Sequence, residues 1–558
     1  MSLGLGIGNG IRVFGVLCGM VLAEAGAQSV SDLWGKSGER WSPASRLPDF
    51  SFAGYRSGER AIPELPVTAS VKDFGAKGDG ITDDTQAFKD AIEATHTGAV
   101  LIPAGRYKIT DVIYIRKSGV VLRGAGPANT TLWFPKLLTD IFPGRNFSYS
   151  SAFMTLEGGF GSQPITGITA VAKRGDTAIT LASTSGLQPG QRIQVQVQED
   201  AAQSLKTYLY NNDPGPIENG KPEDSRMVFT LVKVDGNRLI LNRPLRFETR
   251  ASWRPQVLTF APTVSESGFE RMRIEFPETT YLDHFKEKGA NAFEIRGVTD
   301  CWVRDVQIHN ADLGVIFENA CFNTSQGTLI TSFAGRAVTS NWTGHHAISL
   351  THSQDNFVTQ FDLRTRYVHD LSVQHASGNV FGNGKGVDLN FDHHRDTPYA
   401  NLYVDIDAGA GTRVFSSGGA EAIGKHSAAW STFWNIRSDA DFKIPPPNWG
   451  PDLMNFVAVR TYSGAAKDVT GRWVEKIEPA RIQPQDIHAA QLSRRLLLHP
   501  LRAIRAPYLR PRAGGAKTPA WRRERSSIVF GLGGKISGGT DGTPAFVNLQ
   551  GKRLRILH

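Results

Sequence analysis

Eight of the fourteen histidines in this 558-residue chain lie within one window: His345, His346, His352, His369, His375, His393, His394 and His426. The same window holds Arg364, Arg366, Lys385, Asp388, Asp392, Arg395, Asp405, Asp407, Arg413, Glu421 and Lys425. Imidazoles and guanidinium groups crowded beside carboxylates are costly to assemble, and such sets concentrate at functional sites. Their types suit β-elimination from a polyuronate best. That reaction needs a cation to neutralise the sugar carboxylate, a base for the C5 proton and an acid for the leaving oxygen. Arg364, Arg366, Arg395 and Arg413 offer the cation. Lys385, Lys425, His393, His394 or His426 offer base and acid, a lysine being drawn toward neutrality by cationic neighbours. Hydrolysis competes, and needs two carboxyls roughly 5 Å apart for retention or about 6.5–9.5 Å for inversion. Asp388 and Asp392 on one strand would stand about 13 Å apart, so the pair would be Asp362 with one of them. Metal binding ranks third. His393 and His394 sit beside Asp388 and Asp392, but adjacent strand residues face opposite ways and no helical His-x3-His is present, so no metal is expected.

Strand alternation positions these groups. In GVDLNFDHH, Val387, Leu389 and Phe391 point inward and leave Asp388, Asn390 and Asp392 outward. In FDLRTR, Phe361 and Leu363 point inward and leave Asp362, Arg364 and Arg366 outward. The two segments lie about one coil apart, so an Asp-Arg-Arg row is expected over an Asp-Asn-Asp row. A plain ladder of surface ion pairs would give the same pattern. The expected catalytic set is Lys385, Asp388, Asp392, His393, His394, Arg395, Arg413, Lys425 and His426. The expected substrate contacts are His345, His346, Asp362, Arg364, Arg366, Trp430 and Trp434, the two indoles as stacking platforms or else as core packing.

The elements carrying them are short strands (MRIEF, NAFEIRG, DVQIHN, GVIFEN, HAISL, DLSVQH, NLYVDID) separated by Gly, Asn, Asp or Ser. Helical periodicity is nearly absent, which excludes α/β crossovers and leaves a parallel β-helix as the natural solution. Near the start, VKDFGAKGDGITDDTQAFKDAI (Val71 to Ile92) joins a short apolar strand, a glycine turn, the N-cap cluster Thr82-Asp83-Asp84-Thr85 and a helix burying Phe88, Ala91 and Ile92. Strands AVLIP and VVLRG follow. This order resembles the N-terminal segment of the pectate-lyase superfamily of right-handed parallel β-helices, in which the helix caps the open end of the coil. The resemblance covers roughly Val71 to Gly126 and implies an all-β coil acting on carbohydrate. One fold hosts many activities. The clustered-aspartate motifs of polygalacturonases on this fold are missing. Calcium, used by some lyases of this fold, would suit Asp405 and Asp407.

Organisation follows from pattern and composition. Residues 1–27 read as a secretory signal, with Arg12, an apolar run from Val13 to Leu22 and small residues up to Ala27, implying a secreted or periplasmic protein. Residues 28–66 form an arm anchored by Phe52 and Tyr55. The coil begins over 67–164, is interrupted at 165–260 by a small antiparallel β module that could wall a cleft, and resumes over 261–444. A C-terminal cap spans 445–496, its helix covering the lower end. Residues 497–558 form a basic tail without strand or helix period. From Arg494 onward there are 14 Lys and Arg against 2 Asp and Glu, so the +9 net charge belongs to the tail. The remaining 48 basic and 51 acidic residues imply no nucleic-acid partner. Cys301 and Cys321, about one coil apart, are either a disulfide between rungs or two buried thiols. The expected function is cleavage of an acidic polysaccharide by elimination. The alternatives are a glycoside hydrolase or glycan transferase using Asp362, Asp388 and Asp392, and a non-catalytic glycan binder resembling phage tailspikes. Parallel β-helices often trimerise, so the resemblance leaves a homotrimer open, with no membrane contact expected after signal cleavage.

Overall fold

A computed structural model describes residues 29–217, 223–338 and 340–498. The expected signal peptide and nearly all of the basic tail lie outside these residues. The chain winds into a right-handed parallel β-helix with three sheet faces. Each turn contributes a strand to the first face (Val120–Gly124, Gly268–Glu270, Phe357–Thr359, Val380–Gly382), then one to the second (Thr130–Trp133, Arg273–Glu275, Asp362–Leu363, Lys385–Gly386). The third face stacks Ile113–Ile115, Met154–Glu157, Asn291–Arg296, Leu313–Glu318, His346–Thr351, His369–Gln374 and Phe391–His393 in parallel. Each inward position becomes a column of like side chains. Phe293, Val315, Ile348, Leu371 and Phe391 form one such column. Phe381, Tyr403, Phe433 and Phe456 form another, with successive rings stacked 5.0–5.2 Å apart and nearly parallel. At the corner leading into the first face, buried Asn323, Asn356, Asn379 and Asn401 hydrogen-bond to one another rung by rung. This column satisfies amides that would otherwise be stranded in the core.

The capping helix is Thr85–Ala94, with Phe88, Ala91 and Ile92 buried over the coil's end. Its entry differs from the expected cap. The Asp84 carboxylate turns back to accept from the Lys77 and Gly78 amides, pinning the glycine turn. Asp83 accepts from the Thr85 amide instead. Gly78 has φ +64, and a Cβ there would press on Tyr107. Val71–Phe74 is a 3-10 turn capped by Ser70 and Asp73 rather than a strand, because the strand has already ended at Ser70.

Between Pro164 and Thr259 an antiparallel six-stranded sheet interrupts the coil. It packs on the coil through a shared apolar core that includes Tyr399, Ala400, Ala428, Ala429 and Trp430. A buried ion triad rivets it down: Arg243 and Arg246 of the insert both bind Asp355 of the coil corner. The N-terminal arm lies along the outer side of the first face. There Trp34, Leu47 and Phe50 cover Val380, Leu402, Val404 and Trp434, and Tyr55 meets Trp302 edge-on. The last helix, Ile487–Leu498, packs beside this arm: Gln491 bonds Phe50 and Pro48, and His488 lies against Phe357. It does not cover the lower end. Its buried Ile487, His488 and Gln491 match the apolar outer stripe of the first face, which is the larger surface to bury. Cys301 and Cys321 are free buried thiols, held by Thr299.

Candidate active site

The histidine-rich window does not fold into one site. Its residues separate onto the second face, the third face and the corner after the third face, and the corner opens onto a sizeable cavity.

On the second face, Asp362, Lys385, Asp407 and Arg437 stand in register on successive rungs. Arg364 pairs with Asp362, and Lys385 approaches the same carboxylate at 3.8 Å. This is an alternating-charge ladder on a solvated face. Asp388 lies in the following corner, buried, bound by Arg366 at 2.7 Å and by the Thr412 amide and hydroxyl. Arg413 bonds the Asp388 carbonyl, pairs with Asp370 and covers Trp342. Asp388, Arg366 and Arg413 thus neutralise one another as corner braces, and the expected Asp388 outward row does not form. Asp405 is paired with Arg437 and Asn435. Among the described residues neither Asp405 nor Asp407 joins a candidate ligand cluster.

On the third face the outward column runs Glu294, Ile316, Ser349, Ser372 and Asp392, and the next column runs Ile295, Phe317, Leu350, Val373 and His393. His393 therefore faces the core. It packs against Tyr403 and Trp449, and burial drives its imidazole down to about 3. Catalysis by His393 is excluded by that position. Asp392 accepts from Ser372, His394 and the Gly418 amide. His345, His346, His369 and His394 gather around it, joined by His284 from outside the window. Arg395 and His426 adjoin under the 409–424 loop, 3.3 Å apart. Lys425 is turned away, binding Asp213 and the Pro447 carbonyl. Trp430 is buried under the insert beside Tyr208 and Arg174. Trp434 is fully buried beneath the arm with its indole N–H on the Pro484 carbonyl. Neither indole can stack on a sugar, because the insert and the arm bury these outward positions of the coil.

The corner after the third face is different. His352 and His375 occupy the same place on successive rungs, both with left-handed backbone (φ +49 and +45), their rings 4.9 Å apart. That conformation costs a non-glycine residue about 1–3 kcal/mol and persists where its surroundings hold it. The insert leans over this corner and encloses a half-open cavity of about 340 Å³, lined among others by Gln194, Glu223, Asp224, Arg226, Glu318, His352, His375 and Tyr399. Volumes of this order are typical of ligand clefts. His375 Nε2 lies 3.5 Å from Glu223 and 3.6 Å from Asp224, and Nδ1 lies 3.8 Å from Asp396. Burial pulls the imidazole down, but Glu223, Asp224 and Asp396 outweigh it and raise it to about 9. Burial pushes the Glu223 carboxyl up to about 7 against the pull of His375 and Lys206. One Glu223 oxygen has no hydrogen-bond partner. Asp224 resists the same burial penalty because His375 and Arg226 hold it well below the usual range. Two neighbouring carboxyls are thus driven apart by their environments, which is how acid and base roles separate in one site. His352 is exposed and its Nδ1 lies 3.1 Å from Glu318, an imidazole oriented by a carboxylate.

Glu223, Asp224, Arg226 and Glu318 lay outside the window that sequence reasoning singled out. A signal for the corner exists: His352-x3-Asn356 and His375-x3-Asn379 repeat one rung apart, and the Asn members belong to the buried column. Glu223 and Asp224 stand at the end of the insert's polar loop, and no periodicity marks them.

The family model for rhamnogalacturonase A/epimerase, pectate lyase-like, matches residues 68–223. Alginate lyase 7 of Azotobacter vinelandii is 39% identical over 107 residues, 16% of this chain and 12% of that protein. Mannuronan C5-epimerase AlgE1 of the same organism is 43% identical over 72 residues, 11% and 5% of the two chains. The pre-neck appendage protein of Bacillus phage phi29 is 32% identical over 127 residues, 23% and 13%. The chain therefore spans about an eighth or less of the length of these curated relatives. The coil is a right-handed parallel β-helix, and the matched part of the chain is similar to pectate-lyase-like proteins. The family match ends at Glu223, before the corner histidines.

Proposed function

We propose that the protein is a carbohydrate-active enzyme that binds an acidic polysaccharide in the cleft between insert and coil and cleaves it by β-elimination. The observation that carries this reading is the convergence, in one cavity of about 340 Å³, of a carboxyl raised to about 7, a cationic imidazole and an accessible imidazole–carboxylate pair. In this assignment His375 and Arg226 face the uronate carboxylate and stabilise the charge that spreads onto it as the C5 proton leaves. His352, oriented by Glu318, takes that proton. Glu223 in its protonated form gives a proton to the departing glycosidic oxygen. Partial likeness to an alginate lyase and to a mannuronan epimerase supports a uronate-containing substrate. The separation of Glu223 from Asp224 also favours a second reading, hydrolysis with Glu223 as acid, since both carboxylates lie within 3.6 Å of one imidazole nitrogen.

Purified protein incubated with polyuronates and neutral glycans separates the two. New reducing ends accompanied by ultraviolet absorbance of a C4–C5 double bond support elimination. Reducing ends alone support hydrolysis. Binding without either signal rejects the enzyme.

A further inference from the structure

We propose that the outer side of the third face holds a divalent transition-metal ion of the zinc class, bound by His284, His345 and His369. One ring nitrogen from each of the three lies within 4.8 Å of the others. Across a tetrahedral zinc ion with Zn–N bonds of about 2.0–2.1 Å, ligand nitrogens stand about 3.4 Å apart, so closure takes only a small inward shift of the rings. His345 is wholly buried and His369 nearly so, and Nε2 of His284, His345 and His369 is buried without a hydrogen-bond partner. Buried polar atoms in folded proteins are almost always satisfied, and an unfilled ion site is one physical reason for such a set of orphans.

A second observation concerns the other ring nitrogen. A carboxylate stands behind two of them on the Nδ1 side: Glu287 is 3.3 Å from His345 Nδ1 and Asp392 is 3.2 Å from His369 Nδ1. Both carboxylates are themselves fixed, Glu287 by the Tyr281 and Ser148 hydroxyls at 2.6 and 2.5 Å, Asp392 by Ser372 and the Gly418 amide. Imidazole backed by carboxylate is the arrangement that sets the tautomer and aim of metal-binding histidines, leaving Nε2 for the ion. Three histidines leave further coordination positions to water or a ligand oxygen. The site differs from the one sequence spacing suggested and rejected: His393 faces the core, and the donors come from three separate segments.

The test uses cobalt(II), whose visible absorption reports coordination. The full-length protein is stripped with chelator and titrated with cobalt(II), then with zinc(II). The expected result is one equivalent bound per chain, visible bands of a four- or five-coordinate site, and displacement by zinc. His284→Ala removes the least buried of the three ligands, carried on a loop, and should abolish the bands. Glu287→Gln should weaken binding by about 10–100-fold. His426→Ala, outside the triad, should titrate as the parent does. Absence of bands in the folded parent overturns the proposal. So does their persistence in His284→Ala, or their loss in His394→Ala with retention in His284→Ala, which would assign the ion to His369, Asp392 and His394.

Discussion

Glu223→Gln is the most informative single change in the cleft, because it keeps shape and removes only the titrating proton. With its carboxyl raised to about 7, Glu223 is about half protonated at neutral pH, whereas at the ordinary value of 4.5 about 0.3% would be. Burial therefore multiplies the available acid by more than a hundredfold. A positioned general acid contributes about 10²–10⁴-fold, or about 3–5 kcal/mol of barrier. The variant should lose kcat by that factor with KM changed little, since a neutral amide still fills the site. The parent should also lose activity as pH rises past about 7, and the residual activity of the variant should lack that limb. His375 offers an internal check: it loses one of its three raising partners, so its imidazole should titrate lower in the variant by nuclear magnetic resonance. The assay is initial-rate cleavage of a uronate polymer between pH 5 and 9, with thermal melting to verify folding. A folded variant retaining kcat within a few-fold, or keeping the limb near 7, would refute the assignment of Glu223 as proton donor.

Two further changes test how the cleft is built. His375 is raised from 6.5 to about 9, so its stabilisation is complete below 6.5 and is lost as pH climbs through 9; linkage puts this at about 3 kcal/mol. Glu223 is raised too, so its share is lost earlier, between 4.5 and 7. Denaturant unfolding at several pH values should show stability falling through this range, and His375→Gln should flatten the segment between 6.5 and 9. Asp355→Ala leaves the Arg243 and Arg246 guanidinium groups buried without their carboxylate and should cost about 3–5 kcal/mol. Limited proteolysis should then cut the insert first; an insert as resistant as in the parent would mean that the apolar core alone holds it.

The coil was legible because a β-helix repeats its grammar. Alternation in HAISL and DLSVQH, the glycine turn and the capping helix all depend on neighbours within a few residues, and the structure realises each of them. Chemistry depended on facts that alternation does not carry. His393 and Asp392 are adjacent, yet one lines the core and the other heads a histidine cluster; only the register with Val373 and Ser372 separates them. Trp434 occupies an outward position that a solvated coil would expose, and it is buried because the arm, some 400 residues earlier, lies across it. His284 is far from the window in sequence and reaches the same face only through the length of the loop that carries it. Glu223 was invisible for a further reason. It belongs to an insert whose contact with the coil is set by Asp355 and the two arginines, and none of those residues announces a partner.

Stacking explains why the same rungs yield a ladder on one face and candidate sites elsewhere. With rungs about 4.8 Å apart, any residue type repeated in register meets its own copy, so a charge must be followed by the opposite charge. Asp362, Lys385, Asp407 and Arg437 obey that rule and neutralise one another. Columns that break it need something else to compensate. His346 over His369, and His352 over His375, place imidazole on imidazole. At the corner the compensation comes from outside the coil, as Glu223 and Asp224 of the insert hold His375 in its charged form. On the third face burial does the opposite and keeps His345 and His369 neutral. The insert is therefore more than a wall. It supplies the charges that hold a repeated corner histidine in its cationic form, beside the Glu223 carboxyl that burial raises.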